Sequence, residues 1–567
     1  MKKKSLFHWS VVASFFASLV LTVAAQAADM RTVAVVSVAD LDTAVKTLKA
    51  VTTEAGYPDA MAQADMMIPM FLQGLDTKQP IGIVIQADDE SFAGYAFLPI
   101  ADISAMPALS MFVAGGEKQA DGSILIPLGH PMVPSAYLKQ SGKWAFVSLT
   151  ELPKTLPTDP AKLLEGMDKQ YLIGVKANIA NLPKELCLDT MNGIRVMAEM
   201  SAATESDAEG IAATFDQIEM VLEQVKTLNI GIGVSADNDI IMETTTDAVA
   251  GTVLAADIQS MMTFKTGQIG FYQPEGSIGS VLLTGVLNEI LKRQYKAQLS
   301  SFFEGAREGI EDGDLVDADE IDAAKTILSN VEAMLLSTIE SGKVDAGVTW
   351  QANGTMLVGA TIQDGNKLKE AFEQSILAVP EDFQKYLKIN ESELEGYAVS
   401  SIVVPVADLP LPEEDESIQQ FRDKTLTAQI GIKDTAIAVA LGWDSNVKAD
   451  FAKAISASKS PAAVPKQYMV VTPYYLGELF ESIAPKDDPQ VQKLIDMMTA
   501  FGTSGQMTAE MTFSDTAQFD KVVISHQMLP GIGKLIQGVM EARAAATQFG
   551  RDYYENDEDL EIEEFDF

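Results

Sequence analysis

The stretch 36-VSVADLDTAV-45 joins an aliphatic run to a segment with helical spacing, and 404-VPVADLPLPE-413 repeats this arrangement far downstream. Three variants lie between the two copies, at 100–103 (IADI), 179–182 (IANL) and 255–258 (AADI). In each copy the side-chain oxygen of the Asp or Asn is suited to accept hydrogen bonds from the first turn of a helix. We therefore predict strand-to-helix corners, with helix caps at Asp40, Asp102, Asn181, Asp257 and Asp408.

An alternative interpretation makes these five residues ligands of one metal ion. They are widely separated along the chain and occupy the same local position in every copy. That regularity favours repeated capping over a shared site.

Five other segments alternate apolar and polar residues, as the two arms of a half-buried antiparallel hairpin do. Asn353-Gly354 is the clearest turn signal, because this pair tolerates the positive φ values of tight hairpin turns. The other turns are placed at Asp88-Asp89, at Asp237-Asn238, near Asp434 and within 505–525. A helical segment follows most of these hairpins.

Corner and hairpin combine into one recurring unit of strand, helix, hairpin and helix. An echo of KQYLIGV at 169–175 in KQYMVVT at 466–472 supports the recurrence. The units are expected to start near Thr32, Gln170, Gln268, Tyr397 and Gln467. The predicted fold class is α+β: tandem divergent strand-helix-hairpin-helix modules that form a largely antiparallel sheet or sheets, with helices on one face.

Two modules fall in residues 28–265 and three in residues 266–548, which gives an N-terminal and a C-terminal set. The second set includes a long helical hairpin near 276–341. One continuous sheet and two separate domains are both compatible with this division.

The N-terminus has the pattern of a signal peptide spanning residues 1–27. A basic start (Lys2 to Lys4) precedes an apolar run through Val23, and Ala25 and Ala27 form a small-residue cleavage site. We therefore expect a periplasmic or secreted protein with no transmembrane segment after cleavage; an uncleaved membrane anchor is the alternative. At the other end, the acidic composition of 549–567 resists burial and predicts a disordered tail.

The formal net charge is −39, from 41 basic and 80 acidic residues. Such a surface repels nucleic acid and anionic lipid, so nucleic acid is excluded as a partner. Loose association with divalent cations, or docking of a basic partner, remains compatible with this negative charge.

The single cysteine, Cys187, cannot form an internal disulfide and is interpreted as a buried thiol.

The segments 137-YLKQSGKWAFVS-148, 159-DPAKLLEG-166 and 169-KQYLIGVKANIANLP-183 resemble a group of uncharacterised, signal-peptide-bearing exported proteins of planctomycete bacteria. The resemblance covers about the first half of the chain. It implies export and a shared fold, and it carries over no catalytic residue.

Motifs for common catalytic and cofactor sites are lacking in this sequence. Beyond the signal peptide only His130 and His526 remain, in unrelated contexts, and no G-x-S-x-G string is present. No cofactor is predicted. Paired carboxylates cannot be chosen among 80 acidic residues, because their spacing is set in three dimensions.

One cluster suggests a metal. Met61, Met66, Met67 and Met70 offer thioethers, which are soft ligands for Cu(I). Methionine is also a flexible filler of hydrophobic cores, and the chain contains 26 of them, so core packing is the competing interpretation.

The sequence therefore favours an exported, non-catalytic structural or interaction protein whose partner is an unknown protein or envelope component. The alternative is an envelope protein that binds a small molecule or lipid between helices and sheet. A carboxylate-based hydrolase is the third hypothesis, to which no motif points.

Overall fold

The structure is a computed structural model. It describes residues 30–58, 68–69, 72–100, 102–105, 113–130, 133–200, 205–272, 277–287, 289–311, 321–351, 353–377, 381–408, 422–443, 446–461, 467–474, 477 and 489–537.

Strands and helices are interspersed along these residues. The strands are β1 (Arg31–Val38), β2 (Ile81–Ala87), β3 (Phe92–Pro99), β4 (Glu117–Lys118), β5 (Ile124–His130), β6 (Val133–Ser141), β7 (Trp144–Ser148), β8 (Ile173–Ala177), β9 (Val225–Val234), β10 (Ile240–Ala248), β11 (Ser277–Val286), β12 (Lys343–Gln351), β13 (Met356–Thr361), β14 (Leu387–Leu394), β15 (Tyr397–Pro405), β16 (Thr425–Lys433), β17 (Ala436–Gly442), β18 (Gln467–Val471), β19 (Met507–Phe513) and β20 (Ala517–Ile524). The helices are α1 (Leu41–Glu54), α2 (Met167–Gln170), α3 (Lys184–Met200), α4 (Glu205–Gln224), α5 (Val253–Thr263), α6 (Glu289–Glu311), α7 (Ile321–Glu340), α8 (Gly365–Leu377), α9 (Glu381–Gln384), α10 (Val447–Ala457) and α11 (Pro489–Thr499). Short 3-10 turns occupy Ile103–Ala105, Pro160–Leu164, Ile179–Asn181, Ile269–Phe271, Val406–Asp408 and His526–Met528.

The strands form one 20-stranded antiparallel sheet, so the chain is an α+β protein. Hydrogen-bonded neighbours follow the order β4-β5-β6-β7-β3-β2-β1-β8-β9-β10-β20-β19-β18-β11-β12-β13-β17-β16-β15-β14. Within the described residues β4 and β14 are the two edges, and they do not pair with each other. The sheet is therefore open.

All five hairpins expected from the sequence are present, as β2–β3, β9–β10, β12–β13, β16–β17 and β19–β20. The turn residues have the expected conformations in two of them, since Gly354 and Asn238 have φ values of +80° and +67°. A left-handed residue lets the chain reverse within a tight loop.

Each hairpin also pairs with a strand that precedes it. This defines five groups of three strands: group 1 (β1, β2, β3), group 2 (β8, β9, β10), group 3 (β11, β12, β13), group 4 (β15, β16, β17) and group 5 (β18, β19, β20). In every group the first strand pairs with the second and the second with the third, always antiparallel.

Where two groups meet in the sheet, either their first strands pair with each other or their third strands do. Group 5, the last along the chain, lies between group 2 and group 3, because β20 pairs with β10 and β18 pairs with β11. The C-terminal strands therefore join the N-terminal part of the sheet to the rest.

One line of directly opposed residues crosses all five groups. This transverse row runs Phe97, Gly82, Ser37, Gly174, Gly231, Glu243, Lys521, Glu510, Tyr468, Leu282, Gly347, Gly359, Ala438, Gly431, Val399. We call the face to which its side chains belong the row face. In four groups the second strand contributes a glycine to this row.

Glycines of this row, on second strands and on β13, allow bulky groups to lie directly on the sheet. A Cβ at Gly231 would overlap the ring of Tyr171, and one at Gly359 would overlap the ring of Phe271. At Gly431 a Cβ would come within 3.0 Å of the Phe451 ring. Any larger residue would force these rings away from the strands.

The hydrophobic cores lie on both faces. Ala34, Ala177 and Leu228 pack with Cys187 of α3 and Leu222 of α4. On its own strand, each of these three residues is three positions from the transverse row and therefore faces the other way. Helix α10 instead packs on the row face, through Phe451 against Ala438. It is an exception to the expected arrangement with helices on one face.

The predicted helical hairpin near 276–341 is partly wrong. Residues 277–286 form strand β11, and the hairpin consists of α6 and α7, which are tied by ion pairs from Arg307 to Glu332 and from Lys296 to Glu340. The apolar run SVLLTGV fits a strand covered on both faces as well as a helix, so its length did not decide between them.

Strands β4 to β7 were not predicted from the sequence. Among the described residues no helix is long and apolar enough to cross a membrane.

Candidate functional site

The predicted caps occupy three kinds of position. Asp40 precedes α1, and its Oδ1 accepts a hydrogen bond of 2.9 Å from the backbone N–H of Thr43, which is N-cap geometry. Asp102 precedes only a 3-10 turn and accepts from the N–H and hydroxyl of Ser104, at 2.9 and 2.6 Å. Both carboxylates stabilise the start of a helical turn.

Asn181 and Asp408 each end a 3-10 turn instead of preceding it. The Asn181 amide donates a 2.9 Å hydrogen bond to the carbonyl of Thr32, which ties the corner to β1. The Asp408 carboxylate accepts from the hydroxyl of Tyr386. Their described contacts therefore connect segments and do not cap a helix.

The prediction for Asp257 is wrong. Asp257 lies inside α5, whose N-cap is Thr252, with its hydroxyl oxygen accepting from the N–H of Ala255 at 3.3 Å. The preceding segment, TVLA, is the first turn of the helix and not a strand, so the motif falls one turn too late to be a corner.

Two other sets of predicted site residues lie outside the described residues: Met61, Met66, Met67 and Met70, and the cleavage residues Ala25 and Ala27. Within the described part of the chain, no group of three or more His, Cys, Asp or Glu is arranged to hold a metal ion.

The surroundings of Cys187 and His526, two side chains of reactive types, give them roles in the fold. Cys187 is buried, and desolvation raises the pKa of its thiol to about 11, so it remains a protonated core residue.

The ring Nδ1 of His526 lies 3.0 Å from Oδ1 of Asp239, which also accepts the backbone N–H of His526 at 2.9 Å. Burial acts to raise the pKa of Asp239, but these bonds outweigh it and the net shift is downward. The pair attaches the β9–β10 turn to the segment after β20.

The centre of the transverse row is charged. Oε1 of Glu243 lies 3.0 Å from the ammonium of Lys521, and Oε2 accepts from the hydroxyl of Tyr171 at 2.8 Å and from the amide of Gln170 at 3.1 Å. Glu510 lies directly opposite Lys521 on the next strand. Opposite charges across strands favour this pairing, so the cluster helps to fix the junction of group 2 with group 5.

A cleft of about 570 Å³ opens on the row face in group 4. Ser401 and Val403 of β15 and Thr427 and Gln429 of β16 contribute to its lining, and their positions are opposed in the sheet. Strand β17 places only the small residues Ala440 and Gly442 opposite Gln429 and Thr427. Because Ala440 and Gly442 are small, space is left above them between β14 and α10.

Charged residues come into the cleft from both sides. Strand β14 contributes Lys388 and Glu391, and α10 contributes Lys448. The β14–β15 register shifts between Lys388 and Ser392, and Asn390 has a φ of +46°, which is an uncommon conformation for a residue other than glycine. The irregular strand is what places Glu391 beside Lys448.

Glu391 is ionised in this setting. Its carboxylate accepts a hydrogen bond from Ser401 and lies 3.2 Å from the ammonium of Lys448, and together these outweigh desolvation and lower its pKa. Asp423, Lys424, Thr425 and Trp443 complete the lining. Three lysines against two carboxylates make the cleft locally positive on a chain whose net charge is −39.

One buried group in the cleft has an unused hydrogen-bonding atom. Gln429 is 1% exposed, and its amide nitrogen donates to the carbonyl of Ala428 at 3.2 Å. Its Oε1 is buried with no hydrogen-bond partner. A buried unsatisfied oxygen costs stability, typically about 1–3 kcal/mol, and such groups often have a role outside folding.

Sequence reasoning missed this cleft because its residues come from several separate segments between 388 and 448 with no regular spacing. Lys388, Lys424 and Lys448 lie in separate segments, so no local motif marks them. The chain matches no protein-family model, no curated protein and no solved structure.

Proposed function

We propose that this is an exported, non-catalytic structural or interaction protein, built from five tandem divergent modules and working through an extended sheet surface. The shared strand pairing of the five groups supports the modular origin, and so does the glycine that four of them place at the same point of the transverse row. In this proposal the modules serve to widen one surface.

The observation that carries the proposal is the open sheet. Its strands do not close around a central cavity within the described residues, and the central strands β10, β20 and β19 leave part of their row face accessible. Phe519 of β20 is 40% exposed there, two residues from Lys521. A wide face with an exposed aromatic residue among charges suits contact with another macromolecule.

Export is part of the same proposal. The basic start, apolar run and small-residue site at Ala25 and Ala27 support cleavage after residue 27 and a periplasmic or secreted location. N-terminal sequencing of the protein recovered from its host is expected to begin at Ala28. A chain recovered with Met1 intact in the membrane fraction contradicts this.

Site-specific crosslinking tests the interaction surface. A photoreactive residue at Thr512, opposite Phe519 on the row face, is expected to crosslink to one envelope macromolecule in the living host, and the crosslink is expected to disappear in a Phe519→Glu variant. The matched control is a photoreactive residue at Leu48, which is 51% exposed on α1. Equal crosslinking from both positions, or none from Thr512, argues against this function.

A further inference from the structure

The cleft of group 4 has the composition of a ligand site, and we propose that it binds a small sugar acid, such as a hexuronate. Its volume of about 570 Å³ fits a mono- or disaccharide, since small-molecule sites span about 300–1,000 Å³. The proposal is independent of the interaction surface on the central strands.

The lysines that line the cleft favour an anionic ligand. Lys388, Lys424 and Lys448 exceed the two carboxylates of the cleft by one positive charge. The bonds of a ligand carboxylate to these ammonium groups would be charge-assisted. A strongly anionic polymer is disfavoured by the rest of the surface, whose charge is negative.

The polar groups of the cleft favour a ligand that carries hydroxyl groups as well as a negative charge. The unpartnered Oε1 of Gln429 needs a hydrogen-bond donor, and the carboxylates of Glu391 and Asp423 are acceptors as well. A simple anion such as sulfate has no donor to offer them. A sugar acid supplies several hydroxyl donors together with its carboxylate.

The remaining lining suits the ring of a sugar. Trp443, the residue directly after β17, is an aromatic lining residue, and hydroxyl groups such as those of Ser401 and Thr427 both donate and accept hydrogen bonds. A pyranose combines an apolar C–H face with an edge of hydroxyl groups. The cleft therefore offers a partner for each part of a uronate: its carboxylate, its hydroxyls and its flat face.

Titration calorimetry on the full-length exported protein tests the proposal, with glucuronate, galacturonate, glucose and sulfate as probes. We expect saturable binding of at least one uronate below about 10 mM, with glucose and sulfate weaker by about tenfold or more, the worth of one charge-assisted hydrogen bond. No saturable uronate binding overturns the proposal. Sulfate binding as tight as uronate binding also overturns it, because the site is then a simple anion site.

Two lysines of similar environment provide a matched pair. Lys448 and Lys459 both have side chains 65% exposed and both pair with glutamates of the β14–β15 hairpin, at 3.2 Å to Glu391 and 3.0 Å to Glu395, but only Lys448 lines the cleft. Lys448→Ala is expected to weaken uronate binding by about tenfold, and Lys459→Ala to leave it unchanged. Equal effects from the two variants count against the site.

A third variant separates binding from folding. Gln429→Leu removes the unpartnered oxygen without shortening the side chain much, so the melting temperature is expected to hold or rise while uronate binding weakens. Unchanged binding in a folded Gln429→Leu protein overturns the role assigned to this amide.

Discussion

At the scale of single residues, Asp40 is the corner residue with the clearest capping geometry. Asp40→Ala leaves the N–H of Thr43 without its acceptor, so we expect a loss of about 1 kcal/mol in the stability of α1 and faster amide hydrogen exchange in its first turn. The control is Asp257→Ala: Asp257 lies inside α5, and burial raises the pKa of its carboxyl. This variant is expected to be neutral or stabilising. Similar losses in both variants contradict the capping role.

Asp345 is a second residue whose role is local. Its carboxylate is buried and accepts hydrogen bonds from the hydroxyl of Thr266, the N–H of Gly267 at 2.8 Å and the hydroxyl of Thr361 at 3.2 Å. These bonds hold the segment before β11 on the row face. Burial raises the pKa of Asp345 despite them.

The raised pKa gives a pH dependence with a definite sign. A carboxyl whose pKa is higher in the folded than in the unfolded state contributes stability at low pH that is lost as the pH rises through the folded value. Asp345→Asn does not titrate, so its melting temperature relative to wild type is expected to improve as the pH rises above 3.8, the ordinary aspartate pKa. A constant or opposite difference in scanning fluorimetry contradicts this assignment.

At the scale of elements, the hairpins could be predicted from sequence and the corners only in part. Turn residues such as Asn353-Gly354 act locally, and alternation of apolar residues needs no partner to be recognised. Asp257 was misassigned because an aliphatic run before an acid does not distinguish a strand from a first helical turn. The cleft was invisible because Lys388, Gln429 and Lys448 meet only through strand pairing and the packing of α10.

The glycines of the transverse row are a feature at the scale of elements, because only strand pairing aligns them. Gly359→Val is expected to destabilise the protein by about 1–3 kcal/mol, because its Cβ would overlap the Phe271 ring and displace it from β13. Gly285→Val in β11 is the control, since nothing lies within 4 Å of a Cβ there. Denaturant unfolding is expected to separate the two variants. An equal effect means that the row does not need small residues.

At the scale of the whole molecule, the order of groups in the sheet differs from their order in the chain. The strands of group 5 are the last along the chain, yet they lie between β10 and β11 and pair with both. A break between residues 265 and 266 would therefore not divide the protein into independent parts. The sheet is completed only when the C-terminal strands are in place.

Removing those strands is expected to leave two partial sheets with bare edges. Deletion of 462–567 unpairs β10 and β11, and long unpaired edge strands promote association with other chains. We expect the truncated protein to self-associate in light scattering and to lose its cooperative melting transition. Deletion of 549–567 alone is the control: it leaves every described strand in place, so it is expected to behave as wild type. A monodisperse 462–567 deletion with an unchanged melting curve would mean that the two halves fold without their connecting strands.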